Sequence, residues 1–88
     1  MNKRNLITIL REEDIEGLIA LGAPQDEYIH EAEELFTLLS QTSQNYSDVA
    51  DVYLAIVPIW QKSFNLSDAD MTLRRPDLEK LATRICGE

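Results

Sequence analysis

Asp26, His30 and Glu34 recur at intervals of four residues, the spacing that places side chains on one face of a helix. Two carboxylates beside an imidazole can share a divalent metal or tune the imidazole as a general base. However, all three lie opposite the apolar stripe of their predicted helix and therefore face solvent. Because metal binding and base catalysis favour sheltered sites, we expect no metal, no cofactor and no catalysis from this trio.

Neighbouring acids such as Asp26-Glu27 and Glu33-Glu34 are a second candidate for chemistry. Two carboxylates hydrolyse glycosides only when they face each other across a cleft and differ in environment. Adjacent residues on an exposed helix meet neither condition. We therefore expect that the protein is not an enzyme.

The chain also lacks the residues that nucleophilic catalysis requires. The single cysteine, Cys86, falls at the carboxyl end of a predicted helix, where the dipole opposes a thiolate. One histidine and no nucleophile-elbow motif leave no Ser–His–acid triad to assemble. Since one cysteine cannot form an internal disulfide, we expect a cytoplasmic protein.

Two further groups have both a binding and a structural interpretation. Four aromatic residues can line a ligand groove, namely Tyr28, Tyr53, Trp60 and Phe64, with the pocket between helices near Tyr53 and Trp60. However, aromatic side chains at helical spacing more often fill a core. Arg74 and Arg75 can hold a phosphate at the start of a helix, or pair with acidic residues of the same chain. We favour the core for the aromatic residues and ion pairing for the arginines.

The charge distribution is uneven along the chain. Sixteen acids against eight bases give a net charge of −8, which disfavours direct binding to nucleic acid or to an anionic membrane. After Arg11 no lysine or arginine occurs until Lys62. The acids in that interval are Glu12, Glu13, Asp14, Glu16, Asp26, Glu27, Glu31, Glu33, Glu34, Asp48 and Asp51. They form either a solvated surface that keeps the protein soluble or a docking surface for a basic partner.

Hydrophobic periodicity predicts four main helices in one domain spanning residues 1–88. The first runs from Lys3 to about Glu13, and the second opens after Pro24 with Asp26 and Glu27 and runs to about Ser40. The third follows Ser47-Asp48 and reaches about Phe64, and the fourth runs from Pro76 to just before Gly87. The apolar segment 14–23 is either an extra short helix or a connection packed on the core. Residues 41–46 are polar and turn-like, and Ser47-Asp48 is a good helix cap. The expected fold is an all-α bundle.

The third predicted helix should form the centre of the core. Its apolar residues recur every three or four positions and are Val49, Tyr53, Ile56, Val57, Trp60 and Phe64. Pro58 lies within this helix, where it lacks the amide that would bond to the carbonyl of Leu54. We expect a kink at Pro58 rather than a break into two helices at Val57.

The segment Ala23-Pro24-Gln25-Asp26-Glu27-Tyr28 resembles the YugE-like family of small bacterial proteins of unknown function. The similarity extends over 13–39, and Ile59-Trp60-Gln61-Lys62-Ser63-Phe64-Asn65 is a second, looser match. The chain departs from the family at Glu13-Asp14-Ile15-Glu16, where the family tends to have Trp-Asp-Pro-Ile. The resemblance implies a compact helical domain of bacterial origin, with no established activity, cofactor or catalytic residue.

These observations favour a non-enzymatic interaction or regulatory module that docks a basic protein. The expected partner-binding residues are Asp26, Glu27, Glu31, Glu33 and Glu34. The alternatives are a small-molecule or metal-binding domain that assists an enzyme, and a DNA mimic that competes for a nucleic-acid-binding protein. A homodimer formed through leftover apolar positions such as Leu54 and Ile59 is a further expectation.

The Tyr28 hydroxyl also has two interpretations. It can join Asp26 and Glu27 in an exposed recognition point, or Tyr28 can pack back onto the core while Pro24 and the acids start the helix.

Overall fold

The first helix is confirmed in the computed structural model, which describes residues 2–24, 26–41 and 48–87. Helix α1 (Lys3–Glu13) begins after Asn2, whose side chain accepts a hydrogen bond from the backbone N–H of Asn5 at 2.8 Å. It ends at Asp14, which adopts a left-handed backbone conformation with φ 41° and ψ 52°. Its buried residues are Leu6, Ile9 and Leu10.

The connection from residue 14 to residue 24 contains successive turns, so the extra short helix is absent from this part of the chain. Gly17 and Gly22 have φ values of 72° and 102°, which interrupt any regular helix. Ile15, Leu18 and Ile19 are half-buried and pack against the core. The interpretation of this segment as an apolar connection is therefore correct.

Helix α2 (Ile29–Gln41) begins later than the sequence predicted. Residues 26–28 form turns, in which the N–H of Glu27 bonds to the carbonyl of Pro24 at 3.1 Å and that of Ile29 to the carbonyl of Asp26 at 3.0 Å. Asp26 and Glu27 thus precede the helix instead of occupying its first turn. Of the turn predicted at 41–46, Gln41 belongs to α2, and residues 42–46 lie outside the described residues together with Ser47.

Helix α3 (Val49–Phe64) is continuous across Pro58, as predicted, and the alternative of a break into two helices at Val57 is wrong. Asp48 caps the helix by accepting a hydrogen bond from the N–H of Ala50 at 3.0 Å. Pro58 and Leu54 are both exposed, which allows water to reach the carbonyl that Pro58 cannot pair. A bend at Pro58 stays a prediction.

Helix α4 (Asp68–Cys86) begins at Asp68, so the start predicted at Pro76 is wrong. A capping box starts the helix: the Ser67 hydroxyl accepts from the N–H of Asp70 at 3.1 Å, and the Asp70 carboxylate accepts from the N–H of Ser67 at 3.2 Å. Pro76 lies inside the helix on an exposed surface, together with Thr72, whose carbonyl loses its partner. The helix therefore starts at the capping box, before the proline, and continues through it.

The four helices enclose one core, which confirms the all-α bundle. In the described part of the chain, α3 and α1 each pack against both α2 and α4, whereas α2 does not contact α4. Trp60, Tyr28 and Phe64 form an aromatic cluster, with the Tyr28 and Trp60 rings stacked at a centroid distance of 5.9 Å. The radius of gyration is 12.2 Å, close to the roughly 12 Å expected for a compact chain of this length. None of the described helices is long and apolar enough to span a bilayer.

Candidate acidic groove

Glu16, in the connection after α1, holds three elements together. Its carboxylate receives two hydrogen bonds from the Arg74 guanidinium, at 2.7 Å and 2.9 Å, and one from the Trp60 indole at 2.9 Å. Its side chain is only 9% exposed and that of Arg74 is 28% exposed. Sequence reasoning predicted that Arg74 pairs with an acid, and this is confirmed, but it did not identify Glu16. The indole N–H of a buried tryptophan, which needs an acceptor, was the available signal.

Asp14 fixes the start of the same connection. Its carboxylate accepts hydrogen bonds from the Tyr28 hydroxyl at 2.6 Å and from the N–H groups of Ile19 and Ala20 at 3.1 Å and 3.0 Å. Burial acts to raise the pKa of Asp14, but these hydrogen bonds outweigh it and hold the pKa below the usual value. Burial and the bond to Asp14 raise the pKa of the Tyr28 hydroxyl. Tyr28 is therefore a core residue, not part of an exposed recognition point.

The carboxyl end of α1 also pairs with α4. Arg84 bonds to Glu12 and, at 3.0 Å, to Glu13, while the Lys80 ammonium lies 3.8 Å from Glu13. Glu12, Glu13 and Glu16 thus face the basic residues of α4, although they are far from these residues in sequence. The anionic interval that looked uniform in the sequence is consequently divided into a paired part and an unpaired part.

The unpaired part lies on α2, on the turn before it and at the start of α3, where Asp48 and Asp51 are exposed. Asp26, Glu27, Glu33 and Glu34 are exposed, as predicted, and we call these four residues the acidic face. Among the described residues only Lys62 forms an ion pair with this face, at 3.5 Å from Glu34. The Lys62 side chain is 74% exposed, so water screens this pair strongly. The acidic face therefore keeps most of its negative charge.

A groove between α2 and α3 adjoins the acidic face. It has a volume of about 490 Å³ and is lined by Glu33, Glu34, Thr37, Leu38 and Ile59, which together we call the α2–α3 groove. Leu38 is 38% exposed and Ile59 is 8% exposed. Aliphatic side chains and two carboxylates thus line the same depression.

Comparison with known proteins gives this site no precedent. No family model, curated protein or solved structure matches the chain. The resemblance to the YugE-like family therefore stays a prediction. What the groove can bind has to be argued from its own residues.

Glu31 requires a correction, because it was expected among the partner-binding residues. It is 7% exposed and lies on the buried stripe of Tyr28, Ala32 and Leu35, so it does not belong to the acidic face. Its three-residue spacing from Tyr28 and four-residue spacing from Leu35 place it on this stripe. Burial raises the pKa of the Glu31 carboxyl, an effect reinforced by Glu34 and Glu27 and opposed by its own backbone N–H and by His30.

We predict that Glu31→Gln stabilises the protein by about 1 kcal/mol at pH 7, because the ionised form is the one that burial penalises. A raised folded-state pKa means that stability is lost as pH rises through the interval above the ordinary value of 4.5. The difference in stability between Glu31→Gln and the wild type should therefore become smaller as the pH is lowered towards 4. Urea denaturation followed by circular dichroism at both pH values measures it. Equal stability of the two proteins at pH 7 would contradict the prediction.

The other sites considered from sequence are not assembled in the described residues. His30 is exposed, and no group of three His, Cys, Asp or Glu residues in 2–24, 26–41 and 48–87 is arranged to hold a metal. Tyr53 borders a second groove of about 290 Å³, but buried Trp60 does not line it. Arg75 covers the Tyr53 ring at 5.9 Å and pairs with Glu79 at 2.6 Å. Pairing of Arg75 with an acid is thus confirmed.

Proposed function

We propose that the protein is a non-enzymatic interaction module that docks a basic partner protein on the acidic face. The observation that supports this proposal is the division of the acids into two groups. The acids at the end of α1 are paired with α4, whereas Asp26, Glu27, Glu33 and Glu34 remain exposed with one screened lysine beside them. Such a surface attracts a cationic partner and speeds its encounter.

The adjoining groove supports docking over simple solvation. A surface that only maintains solubility needs scattered charge and no apolar depression. Here Leu38 and Ile59 line the same groove as Glu33 and Glu34, so a partner can bury apolar area as well as form ion pairs. The apolar contact would supply affinity, and the carboxylates would supply orientation and selectivity.

Neutralising the groove carboxylates provides the test. We predict that Glu33→Gln/Glu34→Gln weakens capture of a basic protein from extracts of the native cell by about fivefold, since each exposed ion pair contributes on the order of 0.5 kcal/mol. Raising the salt from about 0.05 M to 0.5 M should weaken capture by the wild type in the same sense. Quantitative mass spectrometry of the retained proteins measures both effects.

The matched control is Asp77→Asn/Glu79→Gln, which also removes two negative charges. Both residues are exposed on α4, which does not contact α2 in the described part of the chain. The control variant should retain the wild-type partner. If both double variants retain the same proteins equally well, or if salt has no effect, the acidic face is only a solvated surface.

A homodimer remains a separate proposal with weaker support. Leu54 is 65% exposed and available for contact, but Ile59 is 8% exposed and lies in the groove. The two residues therefore do not form the shared apolar patch expected from the sequence.

A further inference from the structure

The α2–α3 groove combines features that select one kind of occupant. Its lining combines two aliphatic side chains, Leu38 and Ile59, with two carboxylates, Glu33 and Glu34. The depression is open to solvent and has a volume of about 490 Å³, so it can take more than a single methyl group. An occupant must therefore present apolar side chains and positive charge together.

The secondary structure of the occupant follows from its backbone groups. An extended segment binds best by adding a strand to an open sheet edge, and residues 2–24, 26–41 and 48–87 contain no strand. A helix pairs its own backbone groups and can lie against an apolar floor without leaving amides unsatisfied. Two neighbouring helices also form a natural groove for the side-chain ridges of a third.

We propose that the α2–α3 groove binds an amphipathic, lysine- or arginine-rich helix of a partner protein. Apolar side chains of that helix would lie over Leu38 and Ile59, and its basic residues would flank them and pair with Glu33 and Glu34. Lys62, which is exposed and pairs only loosely with Glu34, would turn away into solvent. This inference rests on the proposed function and specifies the partner's chemistry.

Synthetic peptides test this inference without knowledge of the natural partner. The probe is an 18-residue peptide of leucine and lysine in which leucine recurs every three to four positions. One comparison peptide has the same composition in an order without an apolar stripe, and the other is oligolysine. We expect the amphipathic peptide to bind about tenfold more tightly than either comparison peptide and to gain helical circular dichroism on binding.

Two pairs of variants separate the apolar contribution from the charge contribution. Leu38→Gln should weaken amphipathic peptide binding by about fivefold, whereas Leu54→Gln, at a more exposed leucine outside the groove, should leave it unchanged. Glu33→Gln/Glu34→Gln should also weaken it, and Asp77→Asn/Glu79→Gln should not. Fluorescence anisotropy of labelled peptide measures each dissociation constant.

The outcomes distinguish the two proposals. Equal binding of all three peptides, together with no effect of Leu38→Gln, would overturn the helix proposal and leave docking of a basic partner in place. No binding of the amphipathic peptide would also overturn it. If the peptide binds and loses affinity with Leu38→Gln, but Glu33→Gln/Glu34→Gln behaves like the α4 control, the role of the acidic face is overturned instead.

Discussion

Replacing Glu16 with alanine is expected to lower the free energy of unfolding by about 3 kcal/mol, because it leaves a guanidinium and an indole N–H without their acceptor. Arg74 would lose both hydrogen bonds of its bidentate pair, and Trp60 would keep a buried donor with nothing to bond. The Arg74 side chain is 28% exposed, so water recovers part of the loss and the cost stays near the lower end for a broken buried pair.

Glu79→Ala is the matched control for this prediction. The Arg75–Glu79 pair has a similar distance, 2.6 Å, but its side chains are 66% and 50% exposed. Its loss should change stability by no more than about 0.5 kcal/mol. Urea denaturation followed by circular dichroism avoids any dependence on Trp60 fluorescence. A Glu16→Ala cost no larger than that of Glu79→Ala would show that the three-way contact is not important for the fold.

A double variant distinguishes the loss of the Glu16–Arg74 ion pair from the cost of leaving the Arg74 guanidinium without a carboxylate. Glu16→Ala/Arg74→Met removes the uncompensated guanidinium and keeps an unbranched side chain against the connection. We therefore expect it to be more stable than the sum of the two single changes indicates.

The helices that could be predicted from sequence are those whose limits depend on local signals. In α3 the apolar spacing and the Asp48 cap are both local, and its predicted extent agrees with the structure. The start of α4 was missed because Pro76 is a favourable first residue of a helix and was taken as its start. The helix begins instead at the capping box of Ser67 and Asp70, which is also a local signal.

The site could be predicted only in part, because its formation depends on contacts distant in sequence. The exposure of Glu33 and Glu34 follows from helical spacing and was predicted. The pairing of Glu16 with Arg74 joins residues that are 58 positions apart, and no spacing rule indicates it. Glu31 was misplaced because a glutamate is normally expected on the solvated face, while this helix turns it inwards beside Ala32 and Leu35.

The long-range pairing between α4 and the end of α1 leaves the acidic face without cations from α4. In the described part of the chain, Arg74, Lys80 and Arg84 form no ion pair with the acidic face. Because they are held against Glu12, Glu13 and Glu16, the negative charge on the α2 side is not balanced locally. Lys62 is therefore the one ion-pair partner of the acidic face among the described residues.

Asp14→Ala is expected to destabilise the protein by about 2 to 3 kcal/mol. The change removes the acceptor for the Tyr28 hydroxyl and for the N–H groups of Ile19 and Ala20. It also places alanine at φ 41°, which aspartate tolerates better. Tyr28→Phe removes only the hydroxyl and should cost about 1 kcal/mol. Chemical denaturation of both variants measures these effects.

Asn65→Ala isolates the backbone contribution, because Asn65 ends α3 with φ 51° and makes no side-chain hydrogen bond within the described residues. It should cost about 1 kcal/mol. The amount by which Asp14→Ala destabilises the protein more than Asn65→Ala then measures the contribution of the Asp14 hydrogen bonds. Equal losses of stability in the two variants would show that these hydrogen bonds contribute nothing. The lowered pKa of Asp14 adds a pH signature: its stabilisation is present above the ordinary value of 3.8 and is lost as pH falls through the folded-state pKa. The stability difference between wild type and Asp14→Asn should therefore narrow as the pH falls below 4, whereas the Asn65→Ala difference should not.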